Sequence, residues 1–334
     1  MKGKYWKMSL CLLLGLCPLF ASCTSGRGMG PEPVALLLTG SINDAGWNAS
    51  AYKGFLKAQE EYGFEGAYSE SLQAGEVEEA VQTYADKGFK IIILASADFS
   101  EAGKAVAQEY PSLRFVLING QSSQAPNLSN VRPRTSETGF LAGAFAGLIT
   151  KTGTVGMIGG KKLPPIQDAM EGFAAGALYA RPGTAVLRAY IDSFTDIAKG
   201  TEAAMVMIGA KADVVCSNTG QAALGTIEAA RKKGISAVGY IEDQYKVAPG
   251  TVPFSVIQDV GEMVRIGVGK ALAEEFKAEQ VVVGAKEGVI RPSAFYPMGK
   301  DAVPVEIRER MEEIYQGIVD GSLRDRGILP EASL

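Results

Sequence analysis

Histidine is absent from all 334 residues. Its absence removes the usual general base of neutral pH, the Ser-His and Cys-His nucleophile pairs, and nearly all common zinc sites. Cysteine is scarce: Cys11, Cys17 and Cys23 crowd the N-terminus, and Cys216 stands alone in the body. If a leader is cleaved before Cys23 and Cys23 is lipidated, Cys216 has no partner and a disulfide framework is excluded. A basic excess is missing too, with 33 Lys and Arg against 37 Asp and Glu and a net charge of −4. Without a basic stripe, nothing points to nucleic acid as a partner. No apolar run approaches the ~20 residues of an ordinary membrane-spanning helix. Phosphate-cradling motifs are also lacking: "GMIGGKK" (156–162) and "SNTGQAALGT" (217–226) match neither G-x-x-x-x-G-K-[ST] nor G-x-G-x-x-G. Gly159 and Gly160 suit a tight strand-to-helix turn, and a nucleotide phosphate at Lys161 and Lys162 is the weaker alternative.

What is present is a chain of globular composition, 47% hydrophobic and 21% charged. Its length suits about two domains. The first residues, "MKGKYWKMSLCLLLGLCPLFASC", carry Lys2, Lys4 and Lys7, then an apolar stretch from Met8 to Phe20, then small residues. That is the pattern of a secretory signal over residues 1–22. It ends on Cys23 after Ala21 and Ser22, which resembles a bacterial lipobox with Cys23 as the lipidated residue. A plain signal peptide with an incidental Cys is the alternative, and Cys17 is a poorer lipidation candidate. Residues 23–32 are then a flexible tether, and the protein is expected to be anchored to a membrane rather than to span it. Cys216, in "ADVVCSN", is expected as a small core residue.

From Pro33 onward, short apolar runs alternate with longer helical patterns. The runs are "PVALLL" (33–38), "KIIILAS" (90–96), "RFVLING" (114–120), "TVGMIGG" (154–160), "AVLRAYI" (185–191), "DVVCSN" (213–218) and "SAVGYI" (236–241), with a weaker "GAYSES" (66–71). Near-continuous apolar runs indicate strands buried on both faces, as in parallel sheets. Helices are predicted over 48–62, 75–87, 100–109, 137–150, 166–179, 196–210, 220–233, 260–276 and 304–319. The alternation predicts an α/β fold with parallel sheets and right-handed crossovers. It breaks at "QSSQAPNLSNVRPRTSE" (121–137) and at "QYKVAPGTVPFSVIQD" (244–259), both without a helix. Two lobes joined by a hinge follow: 33–136 plus 256–286, and 137–255 plus 287–334.

In open α/β sheets, ligands bind outside the carboxyl ends of the strands. The candidate residues are those that follow each apolar run. Trp47 and Phe194 stand at strand ends of different lobes, where two rings can sandwich a flat ligand; packing against their own lobes is the alternative. Asn43, Asp44 and Asn48 beside Trp47 can hydrogen-bond a ligand edge. Ser96, Asp98, Asn218, Thr219, Glu242, Asp243 and Gln258 complete the set. The carboxylates suit hydrogen bonding to ligand N–H and O–H groups; helix capping is the competing role for Asp44 and Asp98, and Asp196 suits an N-cap. With no His, neither a metal nor a cofactor is expected, nor covalent chemistry. A hydrolase built on paired carboxylates is the enzymatic alternative.

These residues carry a family resemblance over nearly all of the chain after the leader. "INDAGWN" (42–48), "YPSLRFVLING" (110–120), "ETGFLAGAFAGLITKTGTVGMIGG" (137–160), "YIDSFTD" (190–196) and "EDQ" (242–244) resemble the basic membrane protein family of bacterial lipoproteins, substrate-binding components of nucleoside ABC importers. The resemblance implies a type I periplasmic-binding-protein fold with two Rossmann-like lobes. It further implies a purine nucleoside or nucleobase ligand, ABC permease and ATPase partners, and a lipid-anchored position facing the periplasm or cell exterior. Asn43 and Asp44 match the pair that hydrogen-bonds the purine. Trp47 stands where the family usually has a stacking Phe, Ser96 to Asp98 match a contact loop, and Phe194 matches the aromatic of the "SF-x-D" turn. Three positions depart from the pattern. Ile241 in "GYIEDQ" occupies the place of an Asp that binds ribose hydroxyls, Gln258 replaces a Lys near the base, and "NTGQAALG" (218–225) replaces a glycine-rich loop. A free purine base therefore stands beside a nucleoside as the expected ligand. A sensory or regulatory lipoprotein of the same fold is the other reading.

Overall fold

The computed structural model describes residues 31–43 and 47–331. The expected leader, Cys23, all but the end of the tether, and Asp44 lie outside the described residues. The body from Pro31 to Leu334 is one compact unit. It opens with β1 (Val34–Leu37), α1 (Trp47–Tyr62), β2 (Gly66–Ser69), α2 (Val77–Asp86), β3 (Ile91–Leu94), α3 (Ser100–Glu109), β4 (Arg114–Ile118) and β5 (Leu128–Pro133). It continues through α4 (Thr135–Ile149), β6 (Thr154–Gly159), α5 (Pro164–Ala180), β7 (Ala185–Tyr190), α6 (Ile197–Gly209), β8 (Val214–Asn218), α7 (Ala223–Lys233), β9 (Ser236–Ile241) and β10 (Phe254–Gln258). Then come α8 (Val260–Leu272), β11 (Gln280–Val283), β12 (Ile290–Pro292), α9 (Val305–Val319) and α10 (Ser322–Asp325).

The strands form two sheets, ordered β11-β5-β4-β3-β1-β2 and β12-β10-β9-β8-β6-β7. All pairings are parallel except β10 with β12. The apolar runs explain this. Alternate residues of β1 and β3 feed different cores: Val34, Leu36, Ile91 and Ile93 enter one cluster, while Ala35, Leu37, Ile92 and Leu94 enter another. A strand buried on both faces needs helices on both faces, and only crossover connections supply them. The result is two α/β lobes in the type I periplasmic-binding-protein arrangement.

Several helix pairs pack backbone to backbone. Gly139 and Gly143 of α4 face the carbonyls of Ala169 and Phe173 in α5, and Gly172 and Gly176 of α5 face those of Ser136 and Phe140. A Cβ at any of these glycines would overlap the facing oxygen. Gly54 of α1 meets Gly261 of α8 in the same way. This close approach explains why α4 is buried from Thr135 to Gly147 although it carries few large side chains. Among the described residues, no helix is long and apolar enough to cross a membrane.

Some expectations require correction. The polar stretch 121–137 contains a fully buried strand, β5, because its polar side chains are satisfied inside. Ser129 Oγ donates to Glu279 O (2.9 Å), and Asn130 both donates to and accepts from the Gly120 backbone (3.0 Å each). The second break contains β10, which pairs with β9 through Ile257. Residues 256–258, expected with the first lobe, thus lie in the second sheet, and the chain returns only at α8.

Candidate functional site

Strand order locates the site before any side chain is considered. In the first sheet the order reverses between β1 and β3, so the loops leaving these two strands part to opposite faces and open a crevice. In the second sheet the reversal lies between β6 and β8. The expected residues gather at these two points.

At the first, Trp47 begins α1 and its Nε1–H donates to the Ala95 carbonyl at the end of β3, at 2.7 Å. The ring is half-buried against the main core. Asn48 is buried and accepts from Gly40 N (3.2 Å) and Thr39 Oγ1 (3.5 Å), so it braces the β1–α1 loop. Ile42 N donates to Glu70 (2.7 Å), leaving Asn43 exposed at the loop tip. Ser96 caps the short turn before α3, accepting from Asp98 N at 3.1 Å, and Asp98 itself is exposed.

At the second point, Gly160 N donates to Asn218 O (3.0 Å), which joins the β6 and β8 loops. The half-buried Phe194 ring lies directly against Gly160, where a Cβ would collide with it. Lys161 Nζ stands 5.9 Å from the centre of that ring. Asp196 does cap α6, accepting from Lys199 N at 3.1 Å. One aromatic ring thus stands at each crevice, Trp47 bonded to its own lobe's backbone and Phe194 packed against Gly160 of its own lobe.

Other expected residues have internal partners. Thr219 is fully buried and its hydroxyl pairs with Ser217 Oγ at 2.6 Å. Buried Gln258 accepts from Thr138 Oγ1 at 3.5 Å. Asp243 accepts from Tyr245 N (3.1 Å) and from the Tyr296 hydroxyl (2.5 Å). That hydrogen bond to Asp243 raises the Tyr296 pKa above the ordinary phenol value, with burial adding to it.

A cavity of about 350 Å³ lies along the seam between α1 and α8. Ser50, Lys53 and Lys57 of α1, Asp259 and Glu262 at the start of α8, and Glu242 just past β9 line it. Its volume lies at the lower end of small-molecule sites. Glu242 brings the second lobe to it. Ser50, Lys53 and Lys57 escaped the sequence reading because α1 looks like any amphipathic helix; only the neighbouring "INDAGWN" gave a signal.

The backbone is unusual at the same strand ends. Ser71, Asn119, Asp192 and Ile241 take left-handed conformations, with φ of 60°, 62°, 51° and 73°. They follow or close β2, β4, β7 and β9. The hinge below holds a buried carboxylate: Glu137 accepts from Arg324 Nη2 (2.6 Å), Ala285 N (2.8 Å) and pairs with Arg134 Nε (3.2 Å). It ties the first lobe crossing to the last one and to the C-terminal helix. Arg132 of β5 and Asp168 of α5, both buried, lie 3.9 Å apart between the lobes.

The model of the Bmp family, described as PnrA-like ABC transporter substrate-binding proteins, matches residues 32–321. The chain belongs to this family. Basic membrane protein A2 of Borrelia garinii is 29% identical over 93% of this chain and 94% of its own length. The transcriptional activator protein med of Bacillus subtilis is 28% identical over 82% of this chain and 87% of its own. A purine-binding protein of Brucella abortus is 26% identical over 87% and 81%. Among solved structures, a transcriptional activator of the comK gene from Bacillus halodurans superposes with a TM-score of 0.76 at 23% identity, covering 86% of this chain and 97% of that one. A solute-binding protein of an ABC transporter from Conexibacter woesei gives 0.71 at 22%, covering 91% and 100%. As a Bmp-family member, the chain is a substrate-binding protein of the ABC-transporter class.

Proposed function

We propose that this Bmp-family protein is a lipid-anchored receptor that closes around a purine nucleoside or nucleobase between its lobes and hands it to an ABC permease and its ATPase. The observation that carries the reading is the pair of aromatic residues, Trp47 bonded to the Ala95 carbonyl and Phe194 packed against Gly160, each at the strand-order reversal of its own lobe. Two such rings brought together by hinge closure form a slot for a flat ligand, and contacts from both lobes favour the closed state. Asn43 and Asp44 precede the first ring in the sequence, and Asp98 follows closely on Ala95, to which that ring bonds; the three supply polar groups for a heterocycle's edge. The family assignment and the purine-binding relative support the same reading. The protein performs no covalent chemistry on its ligand. Calorimetry of the chain from Pro31 onward against adenine, guanine, adenosine, guanosine and inosine tests it. Saturable binding of a purine is expected; no purine binding together with binding of an unrelated solute would refute it. Replacing Cys23 with Ser should release the protein from the membrane fraction, and unchanged retention would refute the anchor.

A second reading has the same fold acting as a ligand sensor without transport, favoured by the relative named as a transcriptional activator. Uptake of labelled ligand in cells lacking the protein separates the two. Lost uptake supports the receptor, and unchanged uptake supports the sensor.

A further inference from the structure

We propose that Arg132 and Asp168 are positioning residues that latch the two lobes together, raising ligand affinity through closure rather than by touching the ligand. The proposal rests on the hinged closure described above and not on the purine. Arg132 is the penultimate residue of β5 and pairs in register with Val282 of β11 in the first sheet. Asp168 lies in the second turn of α5, the helix that follows the β6 loop of the second lobe. Both stand near the carboxyl ends of strands, where the two lobes face each other. Arg132 Nη2 and Asp168 Oδ2 are 3.9 Å apart, with side chains only 9% and 7% exposed. Other ion pairs differ in kind. Arg188 with Glu171 and Arg265 with Glu61 join elements of a single lobe and are partly exposed, where such a pair contributes little. Glu137 ties the hinge crossings to each other. Arg132 and Asp168 join a strand of one lobe to a helix of the other.

The separation of 3.9 Å exceeds the ~2.8 Å of a charge-assisted hydrogen bond. The contact is therefore Coulomb attraction across a buried seam, strengthened by the low dielectric there, and not a rigid fork. A modest rotation of the lobes parts the two groups, and both charges then regain water. With both partners present, the cost of desolvation and the attraction nearly cancel. Removing one partner tips that balance. The closed state must then bury a lone charge, whereas the open state hydrates it. Opening relieves the cost without unfolding either lobe, so the pair governs the population of closed molecules. When the binding-competent state is less populated, apparent affinity falls by that fraction, whatever the ligand.

The test uses the chain from Pro31 onward with spin labels at Glu79→Cys of α2 and Lys199→Cys of α6, exposed positions on different lobes. Cys216 is buried and stays unlabelled. Arg132→Met and Asp168→Leu each strand one charge. Each should widen the interlobe distance distribution read by pulsed dipolar spectroscopy. Each should also weaken inosine and adenine binding by one common factor, about tenfold. The double variant Arg132→Met/Asp168→Leu removes both charges and should recover the separation and the affinities to within about threefold. That recovery is the signature of a latch. Deleting the partner does not restore a lost ligand contact, and a pair that only braces the fold leaves the separation unmoved. Single variants with an unaltered distance distribution would overturn the proposal, as would a double variant no better than the singles. If neither inosine nor adenine binds the unaltered protein, the purine reading fails, and the distance distributions still decide the latch.

Discussion

Trp47 makes two separable contributions, and substitutions can split them. Its indole N–H bonds to the carbonyl of Ala95, a residue with no exposed surface. Trp47→Phe keeps a ring but orphans that carbonyl, which costs about 1–3 kcal/mol of stability. The aromatic face survives, so purine affinity should fall by no more than about fivefold, equivalent to ~1 kcal/mol. Trp47→Ala removes the face as well. Stacking a base on an aromatic ring is worth about 1–3 kcal/mol, or roughly 5- to 150-fold in affinity. Phe194→Ala should lose less, because the smaller ring offers less stacking area and lacks a hydrogen bond to lock its orientation. Calorimetric titration and thermal unfolding of the three variants give both quantities. Equal losses for Trp47→Ala and Phe194→Ala, or a larger loss for Phe194→Ala, would refute the assignment of Trp47 as the main platform.

Other outcomes follow from groups away from the rings. Glu137→Ala strips a buried carboxylate from Arg324 and Arg134 and should destabilise the protein by about 3–5 kcal/mol in denaturant unfolding; a loss under ~1 kcal/mol would contradict its role as the hinge tie. Burial pushes the Asp213 pKa up, but hydrogen bonds from the Thr150 hydroxyl and from Lys151 and Thr152 N–H outweigh it and hold the value below 3.8. Its stabilising contribution is therefore complete above about pH 3.8 and is lost as pH falls through the lower folded value. Asp213→Asn should show a shallower loss of melting temperature over that acid range, and an identical acid profile would contradict the assignment. Burial pushes the Cys216 thiol up to about 12. It should resist thiol reagents at neutral pH until the protein unfolds, and rapid labelling of the native protein would contradict this.

The parts of the fold that were legible in the sequence are those where one physical effect dominates. β1, β3 and β4 announce themselves because both faces are buried and, apart from Arg114 at the start of β4, every position is apolar. β5 hides because Asn130 and Arg132 look solvent-facing, while their partners Gly120 and Asp168 lie elsewhere in the sequence. β11 and β12 hide because edge strands of three or four residues leave no periodic pattern. The site divides in the same way. Trp47 and Phe194 follow from strand ends and strand order. The inward turn of Thr219 onto Ser217 and of Gln258 onto Thr138 depends on packing that spacing does not encode. The left-handed conformation of Ile241 is likewise invisible in the residue, since an isoleucine is the type least expected to adopt it.

Tryptophan occurs only at positions 6 and 47, so the chain from Pro31 onward reports on Trp47 alone. Its fluorescence, excited at the red edge where purines do not absorb, tests the central claim most directly. Titration with a purine should change the emission saturably, with the same midpoint that calorimetry gives, and Phe194→Ala should shift that midpoint to higher concentration. Calorimetric binding with no change in Trp47 emission would place the ligand elsewhere and contradict the account.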